Sequence, residues 1–295
     1  MSSPIISISN LQKSYKNKSV LESLNWEIEQ GDIVALLGKN GAGKSTLLES
    51  IMSLRQFDGG ELKLWGNSWQ NLPQDKREKI GFVAQETTGF EWMRVKDFLN
   101  YLGGFFPSWN RSYCESLQNR WHLDPKQRVG ELSGGQTQIL HVIQALSIKP
   151  ELLVLDEPVA HLDPNMRRQF LSELIEQTCE LNSTVIFSSH IVSDLERVAS
   201  KVALLLNGKI DHYYDVDDLK SAIAHVKISS DHPIEQTPEF AEFINWRSIA
   251  NGATATIAKP LSRSIEELKA ASQTQIELMP MSMEDWYLEV CHATA

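Results

Sequence analysis

Gly38-Lys39-Asn40-Gly41-Ala42-Gly43-Lys44-Ser45-Thr46 fits G-x-x-x-x-G-K-[ST] without a mismatch and continues into Leu47-Leu48. Immediately before it lies Ile33-Val34-Ala35-Leu36-Leu37, an apolar run with the length and β-branched character of a buried parallel strand. The glycines therefore fall where a strand turns into a helix, and in that context the spacing reads as a phosphate cradle. Glycine lets the backbone bend tightly and bring its N–H groups to phosphate oxygens, while the helix offers its positive N-terminus to the same anion. Lys44 is placed to bridge β- and γ-phosphates, and Ser45 to ligate Mg²⁺, a hard cation that prefers oxygen. The alternative, a Gly-rich turn that binds nothing, is disfavoured by the strand before and the helix after.

Composition narrows the classes. The chain has 295 residues, enough for one large domain and a smaller one, and its 42% hydrophobic content is ordinary for a globular protein. A formal net charge of -10 leaves no electrostatic footprint for nucleic acid or an anionic bilayer, so any membrane association is expected to run through a protein partner. No apolar run approaches the ~20 residues of a spanning helix, and Met1-Ser2-Ser3-Pro4 does not resemble a secretory leader, so a cytoplasmic location without direct membrane insertion is expected. Cys114, Cys179 and Cys291 are widely separated, which implies neither a disulfide framework nor a zinc site; reduced, half-buried thiols are expected.

Ahead of the cradle, Ile5 to Ser9 alternates like a strand and runs into Leu11-Gln12-Lys13-Ser14-Tyr15. A turn-like Lys16-Asn17-Lys18-Ser19 follows, and Leu24 to Ile28 alternates again, so an antiparallel layer is expected here. Tyr15 is either a core ring or a ring that stacks on a purine. Beyond the cradle helix, Asp58-Gly59-Gly60 reads as a turn before a short edge strand, and Lys79 to Gln85 as a core strand. Gln85 is either an exposed loop amide or, at the carboxyl end of a strand beside phosphate, a ligand of Mg²⁺ or of the attacking water.

From Glu86 to about Gly130, rings such as Phe90, Trp92, Phe98, Tyr101, Phe105 and Trp121 sit among helix formers, which reads as a helical subdomain inserted between strands. There are more rings than so small a unit readily buries. Either an aromatic groove that docks a partner helix or a locally aromatic core is expected.

Leu132-Ser133-Gly134-Gly135-Gln136 then precedes Ile139, Leu140, Val142, Ile143 and Leu146 at helical spacing. Ser133 is an N-cap, and the glycines leave the helix entrance bare of Cβ atoms, so this is a second anion-binding helix start. Two phosphate sites with one lysine cradle make sense if the sites face each other across a dimer. Leu152 to Leu155 delivers Asp156-Glu157-Pro158 at a strand end. Adjacent strand side chains point to opposite sides, so Asp156 can hold Mg²⁺ through water while Glu157 polarises the attacking water. A further strand, Thr184 to Ser189, ends at His190, placed to contact the terminal phosphate.

In that order, with Ala160-His161-Leu162-Asp163 added, these segments resemble the ATP-binding-cassette ATPase family. The Leu-Ser-Gly-Gly-Gln run is decisive, since small-molecule kinases and GTPases with the same cradle lack it. The resemblance spans about residues 4 to 215. It implies an ATPase using ATP and Mg²⁺, of α/β class: a P-loop NTPase core with an antiparallel β layer and an inserted helical subdomain (about 86–130), within a domain of residues 1–216. It also implies that two cassettes pack head to tail as a homodimer. Each ATP would lie between the cradle of one chain (Gly38, Asn40, Gly41, Ala42, Gly43, Lys44, Ser45, Thr46) and Ser133, Gly134, Gly135 and Gln136 of the other.

Tyr15 resembles the adenine-stacking aromatic, Gln85 the residue coupling the metal site to the helical subdomain, Asp163 the aspartate that crosses the interface, and His190 the γ-phosphate switch. His161 stands where the family commonly has Ser, and Ile139 where it commonly has Arg. These departures remove no catalytic group, and an altered rate is expected.

Residues 217–295 leave the cassette pattern. Strands at Val226–Ser229, Ala253–Ala258 and Ile276–Met279, with a helix from Ser262 to Ala271, indicate a small α+β appendage in which no ligand constellation is visible. The closing helix, Ser282 to Val290, is similar to the one ending ATPase subunits of the drug, bacteriocin and antibiotic-efflux branch of bacterial exporters, and Phe106-Pro107-Ser108-Trp109-Asn110 points the same way. The expected function is the motor subunit of a multi-chain transporter, held on the cytoplasmic face of the membrane by separate permease subunits. A soluble cassette protein acting on ribosomes or nucleic acid is the alternative; such proteins fuse two cassettes or insert a long coiled coil, and neither is present. A scaffold that binds without turnover would lack a base, whereas Glu157 is in place.

Overall fold

The computed structural model describes the chain apart from residues 1–3, 17, 86–88, 161, 190, 193–195, 273 and 294–295, and apart from the side chains at 177 and 179. The expectations for His161 and His190 lie outside the described residues. The chain forms two compact units, Met1–Tyr213 and Tyr214–Ala295.

In the first unit, β1 (Ile6–Tyr15) and β2 (Lys18–Ile28) pair antiparallel, so strand already resumes at Lys18 where turn was expected. β3 (Ile33–Leu37) leads into α1 (Lys44–Ile51), and β4 (Gly59–Leu64) returns to the free edge of β1, completing a three-stranded layer ordered β2-β1-β4. The short α2 (Gln74–Arg77) precedes β5 (Ile80–Val83). With β6 (Leu152–Leu155), β7 (Thr184–Ser188), β8 (Lys201–Leu206) and β9 (Lys209–Asp215), β3 and β5 form a six-stranded sheet ordered β5-β6-β7-β3-β8-β9.

The pairings β5–β6, β6–β7, β7–β3 and β3–β8 are all parallel. Every residue of β3, β6 and β7 is buried, as the unbroken apolar runs of a sheet covered on both faces require. Leu47, Leu48 and Ile51 of α1 share one core with Ile6 and Leu24 of the antiparallel layer and Val34 and Leu205 of the sheet. Parallel strands end on one edge, and that edge receives the cradle, Gln85 and the Asp156-Glu157 pair.

Between β5 and β6 the chain forms α3 (Val95–Gly103), α4 (Arg111–Arg120) and α5 (Gly134–Ser147). Phe98 and Trp121 are buried, while Phe90, Trp92, Tyr101 and Phe105 remain exposed. Phe90, Tyr101 and Phe105 meet in a row, the first pair tilted and the second edge-on, with centroid spacings of 5.6 and 5.2 Å.

α4 is fixed at both ends. Its N-cap Asn110 accepts from Tyr113 N and donates its own N–H to the Ser147 carbonyl at the end of α5, 2.7 Å away. Its last residue, Arg120, pairs with Glu173 of α6 (Pro164–Leu181), and the Tyr113 hydroxyl donates to Glu173 Oε1 at 2.6 Å. Glu173 is 2% exposed, and with burial this neighbouring carboxylate pushes the Tyr113 phenol far above its ordinary value.

The second unit contains α7 (Val216–Ala222), β10 (Ala224–Ser229), β11 (Ile244–Ile249), β12 (Gly252–Ile257), α8 (Ile265–Ser272), β13 (Gln275–Pro280) and α9 (Met283–Ala293). Its sheet is antiparallel, ordered β11-β12-β10-β13. Val226, Ile228, Ala255 and Ile257 pack one face against Phe240, Phe243 and Leu268. Trp286 is fully buried, and its Nε1 donates to the Ala258 carbonyl at 2.7 Å.

β11 and α7 were not expected, because neither Ile244–Ile249 nor Val216–Ala222 carries a clean apolar period. The helix expected from Ser262 begins at Ile265, where Ser264 and Glu267 cap each other's backbone N–H. The half-buried thiols are corrected too: Cys114 and Cys291 are buried in the two cores, and burial pushes the Cys114 thiol up.

Replacing Glu173 by Ala leaves the Tyr113 hydroxyl and the Arg120 guanidinium without their buried acceptor. A loss of about 1–3 kcal/mol is expected, read as a lower midpoint in urea denaturation, with Glu173→Gln recovering part of it.

Candidate functional site

The loop from β3 to α1 passes through two left-handed glycines, Gly41 at φ 78° and Gly43 at φ 105°. A Cβ on Gly43 would lie 2.8 Å from Val20 Cγ1, so both the dihedral and the space exclude a side chain. Gly43 is the N-cap of α1 and no side chain caps it, which leaves the first N–H groups of the helix available to an anion. Above the loop opens a cavity of about 620 Å³. Asn40, Gly41, Gly43, Lys44, Ser45 and Thr46 line it from the loop, joined by Val20, Gln85 and Glu157 from three other segments.

Lys44 is 6% exposed, and its Nζ donates to the Gly38 carbonyl at 2.8 Å and to that of Lys39 at 3.4 Å. Its ammonium also lies 3.8 Å from Glu157 Oε1. Burial pushes the ammonium below its ordinary value, and the Glu157 and Asp156 carboxylates oppose that shift.

Asp156 and Glu157 are held by a residue to which the sequence reading gave no role. Ser188, the last residue of β7, donates through Oγ to Asp156 Oδ1 at 2.6 Å and accepts from Glu157 N at 2.8 Å. Glu157 itself is left-handed, at φ 50°. Asp156 is buried at 3% exposure, while Glu157 turns into the cavity.

Other expected residues lie elsewhere. Ser133 caps α5 in a reciprocal box: Gln136 N donates to Ser133 Oγ at 3.2 Å, and Ser133 N to Gln136 Oε1 at 2.9 Å. The box uses those groups and leaves the Gly134 and Gly135 N–H groups at a helix start. Asp163 caps α6, accepting from Asn165 N and Met166 N at 2.8 and 3.0 Å. Neither Ser133–Gln136 nor Asp163 lines the cavity, and neither does Tyr15. The Tyr15 ring is partly exposed in β1, with Lys13 Nζ and the Arg55 guanidinium each 5.4 Å from its centroid.

The arrangement fits a triphosphate. It offers a loop bent at two left-handed glycines, an ammonium hydrogen-bonded to loop carbonyls, and hydroxyls of Ser45 and Thr46 at the first turn of a helix. Ser45 and Gln85, which line the cavity, and Asp156, which does not, are the residues that would offer oxygen ligands to Mg²⁺. Two contributors were missed by the sequence reading. Val20 belongs to β2 and reaches the cradle only through the fold, and the signal for Ser188 was a hydroxyl closing an otherwise apolar strand.

Ser188→Ala removes the donor to Asp156 and the acceptor for Glu157 N, so a loss of about 1–3 kcal/mol is expected in thermal or urea denaturation. Ser188→Thr, which keeps the hydroxyl, is expected to restore most of it.

The ABC transporter family model matches residues 21–160. Over 302 residues the chain is 30% identical to the uncharacterized ABC transporter ATP-binding protein YxlF of Bacillus subtilis, an alignment covering 98% of this chain and 100% of that protein. Over 220 residues it is 30% identical to the Fe(3+) ions import ATP-binding protein FbpC 2 of Haemophilus influenzae, covering 71% of this chain and 61% of the other. Among solved structures, a dimeric ATP-binding cassette in a post-hydrolysis state with ADP and phosphate shares the fold. Its TM-score is 0.65 at 23% identity, over 72% of this chain and 98% of that one. Matched to YxlF over its whole length at this identity, the chain belongs to the ATP-binding proteins of ABC transporters, a family of ATPases.

Proposed function

We propose that the chain is the motor subunit of a multi-chain ABC exporter, working as a head-to-tail homodimer with separate membrane-spanning permease subunits. The observation that carries this reading is the division of the site within one chain. Lys44, Ser45, Gln85 and Glu157 surround one cavity, whereas the Ser133 helix start and Asp163 lie outside it. A second copy would bring Ser133, Gly134, Gly135 and its Asp163 to the phosphates, and leave this chain's own set for the copy's nucleotide.

In that pocket the cradle N–H groups and Lys44 hold the β- and γ-phosphates, and Tyr15 stacks on the adenine after its cationic neighbours shift. Mg²⁺, when bound among Ser45, Gln85 and Asp156, supplies the positive charge that offsets the phosphate oxygens. As Lys44 leaves Glu157 for phosphate, the Glu157 carboxylate is freed to accept a proton from water. The water oxygen bonds to the γ-phosphorus while the bond from that phosphorus to the bridging oxygen breaks, giving ADP and phosphate. His190 is assigned to the γ-phosphate from its place in the sequence alone.

The exposed row Phe90, Tyr101 and Phe105 suits a docking helix of the permease. Among the described residues no helix is long and apolar enough to cross a membrane, which fits a peripheral place on the cytoplasmic face. The reading as an exporter rests on the resemblance of the Ser282–Val290 sequence to the closing segment of that branch; the segment is helical from Met283. The names of related import proteins leave direction to experiment: uptake into, or extrusion from, inverted vesicles carrying the complex decides it. Action on ribosomes or nucleic acid is disfavoured by the net charge of -10.

Glu157→Gln is expected to lower kcat by ~10²–10⁴ and to trap an ATP-bound dimer on size-exclusion chromatography. Undiminished turnover in that variant would overturn the assignment of the base, and recovery of the tagged chain with ribosomes but never with membranes would overturn the transporter reading.

A further inference from the structure

The C-terminal unit assembles a pocket from residues that are far apart in sequence. Its sheet buries one face against the core; on the other, where Thr256 is buried but Lys227 and Arg247 are exposed, the strand registers set the side chains in rows. Arg247 lies opposite Thr254, and Thr254 opposite Lys227; in the next row Thr256 lies opposite His225, and His225 opposite Met279. Cross-strand neighbours bring Cβ atoms within ~5 Å, so two cations and an imidazole flank two hydroxyls. From Tyr214 onward the chain has 6 Lys and Arg against 13 Asp and Glu, yet Arg247 forms no ion pair with any described residue.

A bulge puts Arg247 there. Regular pairing onward from Ile244↔Thr256 would bring Trp246 opposite Thr254. The register slips by one residue, so Trp246 packs into the core and Arg247 takes the opposite face. The slip is centred near Asn245, which is left-handed at φ 53°. Its side-chain amide donates to the Glu289 carbonyl at 3.0 Å and also to the Glu289 carboxylate, fixing that residue of α9 beside the sheet. Bulges with strained residues commonly re-aim side chains at binding sites. Here a cavity of about 210 Å³ opens over the rows, lined by Arg247, Thr254, Thr256, His225, Met279 and Glu289.

We propose that this cavity binds a free α-amino acid. Arg247 with the hydroxyls of Thr254 and Thr256 takes the carboxylate, Glu289 takes the ammonium, and Met279 meets the side chain. A bare anion would meet the Glu289 carboxylate and a bare amine would meet Arg247, so a zwitterion satisfies both walls. At about 210 Å³ the cavity lies below the ~300–1,000 Å³ of sites for drug-sized ligands, which favours a small metabolite over a nucleotide. The site is independent of the phosphate cradle, and so is its test.

The full chain is titrated calorimetrically with glycine, L-alanine, L-leucine, L-methionine and L-glutamate, with propionate and isobutylamine as partial ligands. Saturable binding of at least one amino acid is expected, with both partial ligands at least ~10-fold weaker, because each leaves a charged wall unpaired. Arg247→Gln and Glu289→Gln are each expected to weaken binding at least ~10-fold while basal ATP hydrolysis stays unchanged. Should either variant lose its circular dichroism signal, Thr254→Val reports on the same carboxylate contact. Absence of saturable binding up to ~10 mM, far above the range of specific sites, overturns the proposal. So does binding untouched by Arg247→Gln or Thr254→Val, or partial ligands that bind as well as amino acids.

Discussion

The hydroxyl of Ser188 holds two acidic neighbours in places they would not share unaided. Asp156 is buried and Glu157 is left-handed, and one oxygen donates to the first while accepting the backbone N–H of the second. This is possible because β7 lies between β6 and β3, so its last residue arrives beside the end of β6. With that hydroxyl in place, the chain turns so that Asp156 stays behind the cavity and Glu157 faces Lys44 across it. Without it, a buried carboxylate and a buried N–H would each seek water, and the spacing between acid and ammonium would be lost.

Lys44 lives under the same constraint from the opposite sign. A buried ammonium is costly unless it is bonded, and here the cradle's own carbonyls satisfy it. The lysine is therefore pre-folded over the loop. An arriving phosphate replaces weak carbonyl partners with charged oxygens, and the burial that depresses the ammonium also strengthens its attraction to an anion.

What could be read from the sequence was what is local. The cradle, the Ser133 cap and the carboxylates at the end of Leu152–Leu155 are each defined within a few residues, by turn geometry, capping or strand termini, and their fold follows from the order of apolar runs. What could not be read depends on pairing between distant segments. Val20 reaches Gly43 only once β2 is in its sheet, and Glu173 meets Tyr113 and Arg120 only when α6 packs against α4. In the C-terminal unit the decisive event is a one-residue slip in β11, which inverts the facing of Trp246 and Arg247, and a pattern of alternation cannot show such a slip.

α4 is anchored at its start to the last turn of α5 and at its end to the middle of α6. Tied this way, α4 cannot swing at its start without breaking its bond to α5, nor at its end without breaking the buried pair with Glu173 of α6. α5 has 14 residues, so it is a strut roughly 21 Å long at 1.5 Å per residue. Phe98 of α3 meets His141 of α5 edge-on, ring centroids 5.7 Å apart, so the strut whose entrance bears the two glycines is packed directly against the helix that carries Tyr101.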